Sequence, residues 1–166
     1  MRNRELDLKA MQMLELPESY PSLAERPFAR TLLRIWRYPS FGPYLSWALI
    51  QASSQMFVRR VTWDKSDMLA VTPVTFGSEV AIEEPAYEGL LLRLREMQLP
   101  PFITVARLGL DGTTYGIETS AFGLSARLSW WQDPPPEWAA LGIWHAEAVE
   151  KFDGLLPAST PTFDQR

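Results

Sequence analysis

Residues 128–152, LSWWQDPPPEWAALGIWHAEAVEKF, hold four of the seven tryptophans, a triple proline and the single histidine of the chain. The stretch changes its period at the prolines. Before them Ala126, Leu128 and Trp130 alternate, the pattern of a strand. A residue that precedes proline is pushed out of the α region, so Asp133, Pro134 and Pro135 must be extended and Pro136 is the first residue free to be helical. Proline at that first position gives up no helical hydrogen bond, and Glu137 behind it sets negative charge at the positive end of the helix dipole. The spacing predicts a helix from Pro136 to about Phe152, stopped at Gly154, with Trp138, Leu141, His145, Ala148, Val149 and Phe152 on its buried stripe. The segment is therefore a seam between a strand and a helix. Neighbouring strand residues point to opposite faces, so Trp130 is taken as core and Trp131 as facing away from it.

Working outward, GLDGTTYGIETSAFGLSARLSWW offers a turn at Asp111-Gly112, a strand through Tyr115 and Ile117, a break at Phe122-Gly123 and the strand through Trp130, together a hairpin. Upstream, EEPAYEGLLLRLREMQLPPF places Tyr87, Leu90, Leu91, Leu94 and Met97 on one helical face, beginning near Pro85 and ended by Pro100 and Pro101. FARTLLRIWR (28–37), WALIQ (47–51) and MFVRRVTW (56–63) read as strands, the last two as a hairpin closed over ASSQ by a loop of four to five residues. In MFVRRVTW, Arg59 shares a face with Phe57, Val61 and Trp63, while Arg60 shares the other with Met56 and Val58. Neither face is wholly apolar, which predicts one sheet face open to solvent. MLAVTPVTFG reads as a short strand and loop, and residues 4–16 as a short helix or arm that Pro17 ends. The fold class expected is α+β: a mainly antiparallel sheet of hairpins with two helices on one face and a short N-terminal helix. We expect one domain over 1–156, with 1–20 as N-terminal helix or arm and 157–166 as a tail.

Composition narrows the function. The chain of 166 residues contains no cysteine, which excludes disulfides, thiolate metal sites and thiol nucleophiles. Net charge is −4, unevenly spread: residues 1–62 carry nine Lys/Arg against five Asp/Glu, and residues 63–166 seven against fifteen. The arginines at 30, 34, 37, 59 and 60 suggest a solvated strand face rather than a nucleic-acid surface, since the pI is about 5.1 and no recognisable module accompanies them. The opening MRNRELDLKAMQMLELP lacks the apolar run of a signal peptide, and no stretch approaches the roughly 20 apolar residues that span a bilayer. A cytoplasmic protein with no membrane or nucleic-acid partner is expected.

Candidate chemistry is sparse. His145 is the only acid/base group suited to neutral pH, and it lies within an apolar helical stripe, where a histidine usually serves the core. His145-Ala146-Glu147 has the H-x-E spacing of zinc deaminases, but their P-C-x-x-C partner cannot exist without cysteine. No G-x-S-x-G, phosphate-binding glycine loop or histidine cluster is present, so we expect no cofactor and no metal. Glu83-Glu84 and Asp64/Asp67 are the densest acid pairs, and both sit where element ends explain them as caps. Trp131 and Trp144 are the expected binding residues, Trp144 because it falls 60–80° from the stripe's centre at about 100° per residue. The alternative cover for these two rings is the N-terminal arm or a second copy in a homodimer.

DGTTYGIE, LSWW and DPPPEW, followed by a Trp-containing helix, resemble small bacterial α+β proteins in which a Tyr-Gly strand precedes a W…P-x-W helix start. Some proteins of that size and build are immunity proteins of bacterial toxin systems. The resemblance covers residues 84–156, and it brings no catalytic residues. The resemblance favours a binding role; with no catalytic motif present, the reading is a non-enzymatic protein-binding module, whose acidic C-terminal portion suits a basic partner. The competing reading is a small-molecule or enzyme site between sheet and helices that uses His145 with Glu118.

Overall fold

A computed structural model describes residues 4–66, 72–101, 103, 109, 111–121 and 123–161. Six antiparallel strands form its frame: β1 Arg30–Pro39, β2 Tyr44–Ala52, β3 Gln55–Asp64, β4 Val74–Ile82, β5 Thr113–Ala121 and β6 Leu124–Trp131. With a two-residue β7 (Thr160–Pro161) they make one sheet in the order β6-β5-β1-β2-β3-β4-β7. Three helices, α1 Arg4–Glu15, α2 Glu84–Glu96 and α3 Ala139–Leu155, complete an α+β fold, and the hairpins β2–β3 and β5–β6 lie where alternation and turn residues put them.

Parity along each strand decides the two faces. Leu33, Ile35, Trp47, Leu49, Val58, Ile117 and Trp130 point to one side, where α2 and α3 close over them through Leu90, Leu141, Trp144, Ala148 and Phe152. Pro135 is extended (φ −51°, ψ 150°), and Pro136 opens a 3-10 turn, Pro136–Trp138, that runs directly into α3. Gly154 does not stop the helix. Its last turn is closed by Leu156 N–H on the Phe152 carbonyl, and Pro157 follows.

The second face is not open to solvent. The N-terminal segment covers it, with Ala10 and Leu14 of α1 and Tyr20 packed on Val61 and Trp63. The strand arginines are accordingly not a solvated row. Arg34 is buried and pairs with Glu118 at 2.6 Å. Arg59 is 1% exposed; it bonds Glu79 and donates to the carbonyls of Pro17, Glu18 and Ala24. Arg60 reaches Asp153 and Ser159, and Arg30 reaches Gln51, which leaves Arg37 exposed. A buried guanidinium is tolerable only when its donors are met, and for Arg34 and Arg59 the acceptors come from segments far away in the chain. Aromatic rings finish this face: Trp36 stacks on Tyr38, Tyr38 on Tyr44, and Tyr44 meets Trp63 edge-on.

Three smaller expectations are revised. Ser53 and Ser54 alone close the β2–β3 hairpin, with Ser53 at φ 55° supplying the left-handed step that shortens the loop. β4 is a full nine-residue strand. Residues 157–161 are not a loose tail: Thr160 and Pro161 pair with Gly77 and Phe76, and Ser78 Oγ donates to the Pro157 carbonyl. Of the acid pairs, Glu83 stands at the N-cap of α2 without a side-chain bond, Asp64 accepts from Ser66 N–H, and Asp67 lies outside the described residues.

Candidate functional site

The strand-to-helix seam is built on Trp130, Tyr115 and His145. Tyr115 and Trp130 are cross-strand partners on β5 and β6 and stack at 5.9 Å between centroids. The His145 imidazole stands edge-on to both rings, at 5.6 and 5.4 Å. Its Nε2 lies 3.2 Å from the Trp36 carbonyl, which can only accept, so Nε2 carries the proton. Gly116 makes this packing feasible from beneath: a Cβ there would sit 2.0 Å from Cζ2 of Trp36, whose ring fills the opposite face. The Tyr-Gly pair noted in the sequence thus has a packing cause on each side of the sheet.

Burial pushes the His145 pKa down to about 4; the carbonyls of Trp36 and Gly116 oppose the shift, and Arg37 adds to it. Between about pH 6.5 and 4 the unfolded chain binds a proton that the folded ring refuses, so stability falls as pH drops through that window. We expect a loss of about 3 kcal/mol from this group alone, since one pKa unit corresponds to ~1.4 kcal/mol. Urea midpoints measured from pH 7 to 4 should fall less steeply in His145→Gln; parallel slopes for the two proteins would refute it.

Beyond the backbone turn at Gln132 (φ 59°), which closes β6 through its N–H on the Thr113 carbonyl, the prolines lie against α3. A Cβ at Gly142 would meet Cγ of Pro134 at 2.5 Å, so this glycine allows the proline run to touch the helix. Trp130 and Pro134 line both of two neighbouring concavities. The larger, about 650 Å3, has His145, Tyr115 and Trp130 among its lining, Ile143 and Val149 on its helical wall, and Arg37 and Glu150 as charges. The second, about 510 Å3, lies among Pro101, Ile103, Trp131, Asp133, Pro135 and Trp138. Ile143 is 63% exposed, outside the stripe that faces the core.

The expected site residues part company here. Trp131 is half-buried and lines the smaller concavity, where Gly109 and Gly112 allow the chain to pass over its ring. Trp144 is not half-exposed: it is 2% exposed, and its Nε1 donates to the Leu90 carbonyl at 2.9 Å, so it is a core ring that docks α3 on α2. The angular estimate placed it at the stripe's edge, and α2 covers that edge. His145 and Glu118 do not meet. Glu118 follows Ile117 and so projects to the opposite face of the sheet, where it holds Arg34 and lies within 3.9 Å of Arg127. Arg37, Tyr115, Pro134 and Ile143 were not among the site residues expected from the sequence. Parity in β1 sets Arg37 on the face of Leu33 and Ile35, but its approach to α3 depends on β5 lying beside β1.

Among the described residues no group of three or more acidic, histidine or cysteine side chains could hold a metal ion, and no helix is long and apolar enough to cross a membrane. Compared with family models, curated proteins and solved structures, the chain matches none.

Proposed function

We propose that the protein acts by binding another protein through the paired concavities at the seam, in the manner of the toxin-neutralising immunity proteins that its C-terminal third resembles. The observation that carries this reading is the pair of apolar concavities that share Trp130 and Pro134 in their lining, with exposed Ile143 in one and half-buried Trp131 in the other, both outside the core. Tryptophan is enriched among the few residues that dominate binding energy at interfaces, and Ile143 adds exposed apolar area beside it. Asp133, Glu137 and Glu150 are exposed around the concavities, which suits a basic partner that inserts an apolar side chain. His145 holds its proton on a backbone carbonyl and has no carboxylate from Glu118, so its place in the seam favours binding over proton transfer.

Ile143→Asp and Trp131→Ser should each weaken a partner recovered by affinity capture at least tenfold, with melting temperatures within a few degrees of the parent. Leu8→Asp, on the helix that covers the other face, should leave binding unchanged. Retention of the partner by both seam variants would rule the surface out. A small apolar ligand in the larger concavity is the second reading, supported by a volume within the roughly 300–1,000 Å3 usual for ligand sites. A compound that raises the melting temperature of the parent but not of Ile143→Asp would select it.

A further inference from the structure

β6 is the outer strand of the sheet on the β5 side, and among the described residues nothing pairs with its free edge. Which backbone groups face outward follows from the ladder. Gln132 N–H bonds the Thr113 carbonyl, and the β5–β6 register runs without a shift from Thr114↔Trp131 to Ala121↔Leu124. Bonded pairs alternate along an antiparallel ladder, so Leu124, Ala126, Leu128 and Trp130 exchange bonds with β5. The N–H and C=O of Ser125, Arg127 and Ser129 therefore point away from the sheet. Ser40 N–H on the Gly112 carbonyl sets the same parity from the β1 side.

This edge lacks the usual devices that blunt one. It contains no proline, and its only charge, Arg127, leans over the second face toward Glu15 at 3.4 Å and the Trp36 ring at 4.9 Å. Residues 124–127 are all exposed, Leu124 at 76%, and Leu128 is half-buried. The row Leu124, Ala126, Leu128 is symmetric about Ala126 and lies on the same face as Trp130.

We propose that β6 pairs with β6 of a second copy, antiparallel and centred on Ala126. In that register Leu124 lies opposite Leu128 of the other copy, Ala126 opposite Ala126, and Ser125 opposite Arg127. The outward groups of Ser125 and Arg127 then form the bonded pairs, and Ala126 meets its counterpart as a non-bonded pair, the closer of the two spacings at about 4.5 Å between Cα atoms. The two-fold axis stands perpendicular to the sheet, so the sheet continues through the dimer and both seam concavities open on the same side. A one-residue shift would set Leu against Ser and bring outward groups opposite inward ones, which is why the partner is a second copy in this register.

The absence of cysteine makes the register directly readable. Under mild oxidation Ala126→Cys should form an interchain disulfide at least tenfold faster than Ser125→Cys, because only the central pair lies within the roughly 4.4–6.8 Å that a disulfide spans. Ala126→Glu, which faces two carboxylates across the axis, should raise the dimer dissociation constant in sedimentation at least tenfold while its melting profile at low concentration stays that of the parent. A parent chain that stays monomeric at the highest soluble concentration overturns the proposal. So does a dimer that survives Ala126→Glu, or equal cross-linking at both positions.

Discussion

Replacing Arg59 by methionine is expected to cost about 3–5 kcal/mol, the range for removing one partner of a buried ion pair. The size follows from what the guanidinium holds. Its Nε bonds Glu79, a carboxylate only 10% exposed, and its Nη groups cap the carbonyls of Pro17, Glu18 and Ala24. Methionine fills most of the volume but donates nothing, so three carbonyls lose a donor and Glu79 keeps only Arg26. Burial alone would raise the Glu79 pKa; the hydrogen bonds and charges of Arg26 and Arg59 more than offset this and hold it below 4.5. Its contribution is present above the ordinary glutamate range and is lost as pH falls through the lowered value, a lower window than that of His145. The segment from Pro17 to Ala29 should become the first site of limited proteolysis in the variant. Because Glu79 stays paired with Arg26, adding Glu79→Gln to Arg59→Met should deepen the loss rather than relieve it, by leaving Arg26 without its carboxylate. A denaturant midpoint equal to the parent's would show that the N-terminal segment is held by something other than this arginine.

Trp144→Ala is the second large loss, again about 3–5 kcal/mol, the cost usual for truncating a buried tryptophan. The ring is 2% exposed between α2 and α3, and its N–H is bonded to the Leu90 carbonyl. Trp144→Phe should lose less, because much of the volume remains while the hydrogen bond goes. Trp131→Ser should cost clearly less than either, since that ring is only half-buried beside Gly109 and Gly112. The comparison separates the two tryptophans that sequence spacing had grouped together. Equal urea midpoints for Trp144→Ala and Trp131→Ser would contradict the placement of α2 over α3.

The seam itself was legible because its signals are local. Proline restricts the residue before it whatever the fold, and alternation through Leu128 and Trp130 followed by helical spacing from Trp138 to Phe152 marks a strand joined to a helix. The expected stripe is buried except for half-buried Val149, and the second hairpin breaks at Gly123, whose φ of 71° suits glycine. The candidate site was less legible. Tyr115 and Ile143 carry no distinctive spacing, and Arg37 looked like one of five similar arginines.

From residues alone follow the types and order of the elements, the two inward parities, the absence of thiol chemistry and the single histidine on an apolar stripe. Periodicity reports which residues share a side of their own strand or helix, because it reflects geometry within a few residues. It carries no information on which side faces which neighbour. Only the assembled sheet decided that β5 lies beside β1, which sets Tyr115 and Arg37 under α3 and turns Glu118 to the other face. Only the N-terminal segment, folded back over the second face, made Arg34 and Arg59 core residues, because their acceptors lie on segments that the chain brings together after folding. The same holds for Trp144, whose exposure was settled by a helix about fifty residues earlier in the sequence.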